Sequence, residues 1–203
     1  MILGVTGAFG CGKSAVLAAF AAHGWRTADA DHLCHELYAE PEGPLARQFA
    51  ARWGREVLTP EGAVDRRRLG AIVFADRTEL EFLTGTLYPE LSRKLDGLIA
   101  DCRRAGEDGA FELPLLYEAG YGDKFDRVAA VWAAPEIRHA RLREQRKFSE
   151  DEIRLREARQ LPADAKLERA DFGVINNDGL AELELQIGRL VRLLNQPGSF
   201  RRP

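Results

Sequence analysis

The chain has few cysteines, and none of them is spaced for a metal site or a disulfide framework. Its 203 residues include three cysteines, Cys11, Cys34 and Cys102, and no C-x-x-C pair. An odd number of widely separated thiols argues against a zinc site and against a disulfide scaffold. We therefore expect a protein of the reducing cytoplasm. The sequence opens directly into an apolar run without a charged n-region, so we expect no signal peptide.

Long apolar runs and a large excess of charge are absent as well. No window approaches the roughly 18 consecutive apolar residues of a membrane span, so we expect no membrane partner. The formal net charge of -3 gives no reason to expect a nucleic acid partner. Nothing in the pattern selects an oligomeric state. With 45% hydrophobic and 30% charged residues, the chain has the composition of a globular domain with a sizeable core.

One stretch near the start of the chain carries a chemical signature. Residues 7–14 read G-A-F-G-C-G-K-S, which has the form G-x-x-x-x-G-K-[ST], between an apolar run and a helical pattern. Strand, glycine-rich turn and helix in that order predict a phosphate-binding P-loop. Its N–H groups and the helix N-terminus attract an anion, Lys13 reaches the β- and γ-phosphates, and the Ser14 hydroxyl suits Mg²⁺. A glycine-rich turn that binds nothing would not need Lys and Ser at these positions. The prediction is therefore nucleoside triphosphate binding.

The rest of the chain predicts an α/β fold. Five short apolar segments alternate with helical patterns, which indicates a parallel sheet with right-handed crossovers. By analogy with P-loop kinases, we expect the strand order 2-3-1-4-5. The predicted strands are residues 2–5, 25–28, 110–114, 128–132 and 172–175.

We expect a single P-loop kinase domain over residues 1–203, with two appendages and a frayed tail from Gln196 onward. Helix is predicted throughout 65–104, with a capping box formed by Asp76 and Glu79 and a kink or new start at Pro89. This helical block predicts a lobe at about 60–104. A small lid is predicted at about 138–165, with a capping box formed by Ser149 and Glu152. The last predicted helix is amphipathic, with Leu183, Ile187, Leu190 and Leu194 on one face.

Acidic and basic side chains are placed for phosphoryl transfer. Asp29 and Asp31 follow the second strand, where α/β folds bind ligands, although one of them would serve equally as a helix cap. Glu112, in the third strand, predicts a Mg²⁺ ligand. The lid carries Arg138, Arg141, Arg143, Arg146 and Lys147. We expect some of these to stabilise phosphoryl charge and three to form only a solvated face.

Several classes of P-loop protein are excluded by missing motifs. The N-K-x-D and D-x-x-G strings of guanine-nucleotide switches do not occur, and neither does the L-S-G-G-Q signature of transporter ATPases. A small-molecule kinase remains.

The sequence resembles the dephospho-CoA kinase family over nearly its whole length. The resemblance rests on V-T-G before the P-loop, D-A-D at 29–31, P-L-L-Y-E at 114–118, Arg141, A-D at 170–171 and N-D-G at 177–179. It implies a P-loop kinase core with a helical acceptor lobe and a lid. It also implies transfer of the γ-phosphate of ATP to the ribose 3′-hydroxyl of dephospho-CoA, with Mg²⁺.

The resemblance also implies roles for individual residues. Asp31 would accept the proton of the 3′-hydroxyl, while Lys13 and Arg141 would neutralise charge on the γ-phosphate. Metal ligands would be Ser14 and, less typically for the family, Glu112. The implied nucleotide contacts are Gly7, Gly10, Cys11, Gly12, Lys13, Ser14, Ala15 and Asn177. The implied acceptor contacts are Thr6, Asp31, Tyr88, Leu116 and Glu118.

Four positions depart from the family pattern. Tyr88 precedes Pro89 where a His is usual, and Gln145 stands where a second lid arginine is common. Ala8 and Ala15 replace a usual Gly and Thr. Two alternatives stay open at this point: a kinase for another nucleoside or nucleotide, and a nucleotide-binding protein that transfers no phosphate.

Overall fold

The computed structural model describes residues 1–196, so most of the predicted tail lies outside the described part. Five strands form one sheet: β1 (Ile2–Gly7), β2 (Arg26–Asp29), β3 (Gly109–Glu112), β4 (Arg127–Trp132) and β5 (Phe172–Ile175). The helices are α1 (Lys13–Ala22), α2 (Ala30–Ala39), α3 (Pro44–Trp53), α4 (Arg66–Val73), α5 (Arg77–Ala105), α6 (Pro135–Arg146), α7 (Glu150–Glu157), α8 (Ala163–Arg169) and α9 (Leu180–Leu194). Short 3-10 turns lie at Arg55–Val57 and Gly122–Lys124.

The order of the strands is β2-β3-β1-β4-β5, which confirms the predicted order. Every neighbouring pair is parallel, with Val5 opposite Glu112 on one side and Ala129 on the other. All six residues of β1 are buried. A strand covered on both faces needs an unbroken apolar run, and the sequence at 2–5 supplies it. The carboxyl ends of β1, β3 and β4 therefore lie side by side at one edge.

The chain divides into two compact units, of which the first contains the sheet. This unit comprises Met1–Asp29 and the chain from Ile99 onward. Helices α1 and α9 contact each other, and their apolar side chains form one cluster with β1 and β4. The predicted buried face of α9 is confirmed, because Leu183, Ile187, Leu190 and Leu194 are all buried.

The second unit is helical and comprises Ala30–Leu98. It includes α2 and α3 as well as residues from 60 onward, and the lobe expected at about 60–104 stays a prediction. A chain of aromatic contacts explains why α2 and α3 belong to this unit: Tyr38 lies 6.4 Å from Phe49, Phe49 lies 5.2 Å from Trp53, and Trp53 lies 5.3 Å from Phe82. These rings join α2, α3 and α5 into one core.

One prediction within the helical block was wrong in detail. Helix is not continuous over 65–104, because residues 74–76 separate α4 from α5. At Pro89 two alternatives were predicted, a new helix or a kink. No new helix starts there, because Pro89 lies inside α5, and the kink stays a prediction.

Two predicted helix caps have different outcomes. Asp76 accepts hydrogen bonds from the N–H groups of Thr78 at 2.7 Å and Glu79 at 3.4 Å. Glu79 does not complete that box, because its carboxylate accepts from Arg52 and Trp53 instead. In the lid, Ser149 and Glu152 form the predicted reciprocal capping box. Within residues 1–196, no helix is long and apolar enough to cross a membrane.

Candidate active site

The glycine-rich loop joins β1 to α1 and leaves several backbone donors open. Gly7, Gly10 and Gly12 have φ of 150°, 80° and 89°. In the described part of the chain, the N–H groups of Gly10, Gly12, Lys13 and Ser14 donate to no other residue. Open N–H groups at a helix N-terminus form an anion site. The loop therefore has the form expected for binding phosphate.

Two of these glycines also lie so close to neighbouring atoms that there is no space for a Cβ. A Cβ on Gly7 would lie 2.3 Å from the Val131 carbonyl oxygen, which belongs to the adjacent strand β4. A Cβ on Gly12 would lie 2.2 Å from Nδ2 of Asn176. Positive φ and a lack of space act together here, so no other residue fits without moving the loop.

Lys13 is buried, and its ammonium group lies within the loop. Nζ donates to the carbonyl oxygens of Gly7 at 3.3 Å and Ala8 at 3.2 Å. It also lies 3.7 Å from Oε1 of Glu112, a buried side chain at the end of β3. All three contacts are long, so phosphate oxygens would compete with them effectively. Lys13 and Glu112 are thus brought together at the carboxyl edge of the sheet.

The oxygen donors here fit Mg²⁺ when ATP supplies the remaining ligands. Ser14 is exposed in the first turn of α1, and Oε1 of Glu112 lies 3.7 Å from Nζ of the preceding residue, Lys13. Among residues 1–196, no group of three His, Cys, Asp or Glu side chains is placed to hold a metal ion. Mg²⁺ bound with a nucleotide usually takes only one or two protein ligands, several waters and phosphate oxygens. This donor set is sufficient for such a site.

Three other residues predicted to contact nucleotide or acceptor have side chains or N–H groups that are buried or bonded within the protein. Cys11 is fully buried, and burial raises the pKa of its thiol, so only its backbone is open to a role toward ligand. The N–H of Ala15 donates to the Gly12 carbonyl at 3.0 Å. Thr6 is fully buried, and its Oγ1 has no hydrogen-bond partner within the part of the chain that is described.

Arg141 and Asn177 lie beside the loop, on neighbouring segments. Nη1 of Arg141 donates to the carbonyl of Asn176 at 2.8 Å. Oδ1 of Asn177 accepts from the N–H of Ala134 at 2.9 Å, which fixes the chain after β5 against the start of α6. Of the other predicted lid cations, Arg143 pairs with Glu150 on the surface, and Arg146 and Lys147 are exposed.

Arg138 makes more contacts with the P-loop and the lid than the sequence indicated. Its side chain is buried, with Nε donating to Ala133 at 3.2 Å and Nη1 donating to the Phe9 carbonyl at 3.1 Å. The same Nη1 pairs with Oε1 of Glu157 in α7. Arg138 therefore holds the tip of the P-loop to the lid. It stood among five cations in the sequence, and the pattern carried no signal that separated it from the rest.

The segment after β3 is held by a buried lysine that the sequence did not single out. Lys166 in α8 has no exposed surface, and its Nζ donates to the Pro114 carbonyl and lies 3.0 Å from Oε1 of Glu118. Glu118 also accepts from the N–H of Leu161 at 2.7 Å. Burial lowers the pKa of Lys166, and the pairing with Glu118 opposes that shift. Glu118 is thus bound within the protein, and the acceptor contact predicted for it stays a prediction.

Leu116 is placed for packing. Its side chain is fully buried, and a Cβ on Gly4 would lie 2.8 Å from its Cδ1. The structure therefore gives Leu116 a role in the core beneath β1. The contact with an acceptor that was predicted for it stays a prediction.

A cavity of about 480 Å³ opens beside the P-loop. Its lining includes Ala8 and Phe9 of the loop and several polar and aromatic side chains, Trp132, Arg138, Glu157, Gln160 and Asp164. Oε1 of Gln160 is buried without a hydrogen-bond partner among the described residues. The cavity lies between the nucleotide loop and the lid segments and forms part of the same site.

The second unit carries two of the predicted residues. Asp31 lies in the first turn of α2, with its side chain exposed. Tyr88 lies on α5 and is 37% exposed. Burial of the rest of its ring raises the pKa of the Tyr88 phenol, with a smaller contribution from Cys34. Both side chains are reachable from solvent.

Comparison with known proteins assigns this arrangement to one family. The family described as dephospho-CoA kinase matches residues 1–182. A dephospho-CoA kinase of Enterococcus faecalis is 34% identical over 197 residues, covering 93% of this chain and 98% of the relative. One of Anaeromyxobacter dehalogenans is 36% identical, covering 97% of both. A solved structure from Thermus thermophilus has a TM-score of 0.76 and 28% identity, covering 97% of this chain and 98% of the other.

Proposed function

Because the chain belongs to the dephospho-CoA kinase family, we propose that it transfers the γ-phosphate of ATP to the ribose 3′-hydroxyl of dephospho-CoA, giving CoA. The observation that carries the nucleotide half of this proposal is the loop with four open N–H groups beside Lys13. Hydrogen-bond donors already arranged for an anion need no reorganisation when phosphate binds. The acceptor half of the proposal rests on the family.

Lys13 and Arg141 supply positive charge in this mechanism. Phosphoryl transfer needs positioning and electrostatic stabilisation more than covalent help from the protein. The ammonium of Lys13 exchanges its two long carbonyl contacts for γ-phosphate oxygens. Arg141 extends from α6 and is only partly buried, so its remaining donors can serve the transferred group. The N–H groups of the loop hold the β-phosphate.

Mg²⁺ is held by Ser14 and Glu112 in this proposal. The bound ion supplies neutralisation of the phosphate charge that develops during transfer. Glu112 lies near Lys13, so its carboxylate also balances the lysine in a region with little solvent. The hydroxyl of Ser14 is exposed and accessible to a metal–nucleotide complex.

Asp31 serves as the base that takes the proton of the 3′-hydroxyl. A ribose hydroxyl is a weak nucleophile, and an aligned carboxylate within hydrogen-bond reach activates it. Asp31 is exposed in the first turn of α2, and its carboxylate is therefore open to an acceptor.

Tyr88 contributes an acceptor contact, with Thr6, Leu116 and Glu118 supporting the site. None of Cys11, Cys34 and Cys102 forms a disulfide within residues 1–196, which fits a cytoplasmic location.

An acceptor panel tests this function directly. Purified protein is given ATP, Mg²⁺ and either dephospho-CoA, adenosine, AMP or shikimate, and ADP release and product mass are measured. We expect dephospho-CoA to have the highest kcat/KM. Tyr88 stands where the family usually has His, so a higher kcat/KM for another acceptor would replace dephospho-CoA in this proposal. No acceptor-dependent ADP release at all would contradict the kinase reaction.

Asp31→Asn tests the proposed base. We expect kcat to fall by about 10²- to 10⁴-fold, the usual worth of a positioned base, with the Kd for ATP unchanged. Glu36→Gln is the matched control, since Glu36 is another carboxylate of α2 that pairs with Lys94 and His32. Full activity in Asp31→Asn would remove Asp31 from the mechanism.

A further inference from the structure

Asn176 connects three parts of the nucleotide site and had no role in the sequence interpretation. It follows β5 directly and is 6% exposed. Its N–H donates to the Trp132 carbonyl at 2.8 Å, which continues the pairing of β5 with β4. Its side-chain Nδ2 donates to the Cys11 carbonyl at 2.8 Å, and this bond is buried. Its own carbonyl accepts from Arg141 at 2.8 Å.

The bond to Cys11 fixes one peptide plane of the P-loop. In a trans peptide the carbonyl and the following N–H point in opposite directions. The carbonyl of Cys11 points at Asn176, so the N–H of Gly12 points away from Asn176. That N–H is one of the donors that bind no other residue in the described part of the chain. The Asn176 amide therefore sets the direction of a phosphate donor.

The close approach depends on the glycine in the loop. A Cβ on residue 12 would lie 2.2 Å from Nδ2 of Asn176, far inside van der Waals contact. The amide thus occupies space that any larger residue at position 12 would need. The loop glycine and Asn176 form one matched pair, in which the missing side chain admits the amide.

We propose that Asn176 is a positioning residue for the phosphates of ATP. Its side chain holds the Cys11–Gly12 peptide with the N–H of Gly12 directed away from it, toward the bound nucleotide. Its backbone carbonyl holds Arg141 separately. The inference rests on the proposed function only through nucleotide binding, and it is independent of which acceptor is used.

The two contacts can be separated, because a side-chain substitution removes only the first. Asn176→Ala loses the donor to Cys11 but keeps the carbonyl that binds Arg141. We expect the Kd and the KM for ATP to rise about five- to tenfold, the worth of one hydrogen bond, with kcat nearly unchanged. Asn195→Ala is the control, since Asn195 caps the far end of α9 and lies on the surface.

Asn176→Asp adds a readout that a purely structural role would not move. An ionised aspartate cannot donate to the Cys11 carbonyl, whereas a protonated one can. We expect ATP binding by this variant to be weaker than in Asn176→Ala at pH 8 and to recover as the pH falls toward 5. In Asn176→Ala the ratio of its Kd to the wild-type Kd should stay constant over the same range.

Calorimetric titration of ATP without acceptor, together with the thermal midpoint of the unliganded protein, decides the matter. An unchanged Kd for ATP in Asn176→Ala overturns the proposal, whether or not the thermal midpoint is lower. A wild-type protein that binds ATP but does not phosphorylate dephospho-CoA would contradict the proposed function and leave this inference standing.

Discussion

Nζ of Lys13 lies 3.7 Å from Oε1 of Glu112, and both side chains are about nine-tenths buried. The two residues come from different elements, the start of α1 and the end of β3. The parallel register brings them together by placing Glu112 opposite Val5 of β1, just before the loop. An ion pair with little solvent keeps each charge from being left alone at low dielectric.

Glu112→Gln distinguishes a role of this carboxylate as a Mg²⁺ ligand from its role as the ion-pair partner of Lys13. We expect the Mg²⁺ concentration for half-maximal activity to rise about tenfold, because the amide is a poorer Mg²⁺ ligand than a carboxylate. The measurement is a Mg²⁺ titration at constant total ATP. Glu107→Gln is the control, since Glu107 pairs with Arg26 and is about half exposed just before β3. An unchanged Mg²⁺ dependence with a weaker Kd for ATP would assign Glu112 to Lys13 alone.

Arg156 holds the lid to the P-loop through two rings. Its guanidinium lies 5.3 Å from the ring of Phe9 and 4.8 Å from that of Phe148, and the two rings contact edge to face at 5.2 Å. Each cation–π contact is worth about 0.5–1 kcal/mol at an exposed site. For Arg156→Gln we expect amide exchange in residues 150–157 to be several-fold faster. Arg154→Gln, on the same helix but paired with Glu150 and not with the two rings, should leave the exchange rates unchanged; equal rates in both variants would contradict this role.

The Lys166–Glu118 pair predicts a strong dependence between two substitutions. Lys166 is fully buried, so Lys166→Met removes the donor to the Pro114 carbonyl and the positive charge beside Glu118, which keeps only the N–H of Leu161 among the contacts described. We expect the free energy of unfolding to fall by about 3–5 kcal/mol. The double variant Lys166→Met with Glu118→Leu should lose less, because no uncompensated charge remains. Urea unfolding of both variants and of each single change measures the coupling, and additive losses would contradict it.

Tyr38 predicts a stability change at high pH. Burial raises the pKa of its phenol to about 12; Cys34 and Tyr88 add to the rise, and Arg66 opposes it. An unfolded tyrosine loses its proton near pH 10, so between about pH 10 and 12 the folded state binds more protons. Stability is therefore fully present below pH 10 and falls as the pH rises through 12. Unfolding free energies of Tyr38→Phe should fall less steeply in this window than those of the wild type, and parallel curves would contradict the assignment.

Local signals explain why much of the fold was predictable. The apolar run before the loop, the capping box at Ser149 and the buried face of α9 each depend on residues close together in sequence. The extent of the second unit was not predictable in this way. Its boundary depends on ring contacts between residues far apart, such as Trp53 and Phe82.

The site residues differ in the same way: those in a contiguous motif were predictable, and those that act through long-range contacts were not. Lys13 and Ser14 were predictable because a contiguous motif carries them. Asn176, Arg138 and Lys166 were not, because each acts through the backbone carbonyl of a distant residue. Any residue type supplies such a carbonyl, so no sequence pattern marks the partner. Only the packing of the crossover helices shows which carbonyls lie within reach.

Burial of the Cys11 side chain protects the loop from oxidation and alkylation. The thiolate is the form that electrophiles and peroxides attack, and it needs both ionisation and access. The thiol of Cys11 has no exposed surface, and its raised pKa keeps it protonated. Reagents that modify accessible cysteines will therefore leave the nucleotide loop intact. The protein carries an inert sulfur at the centre of its phosphate site.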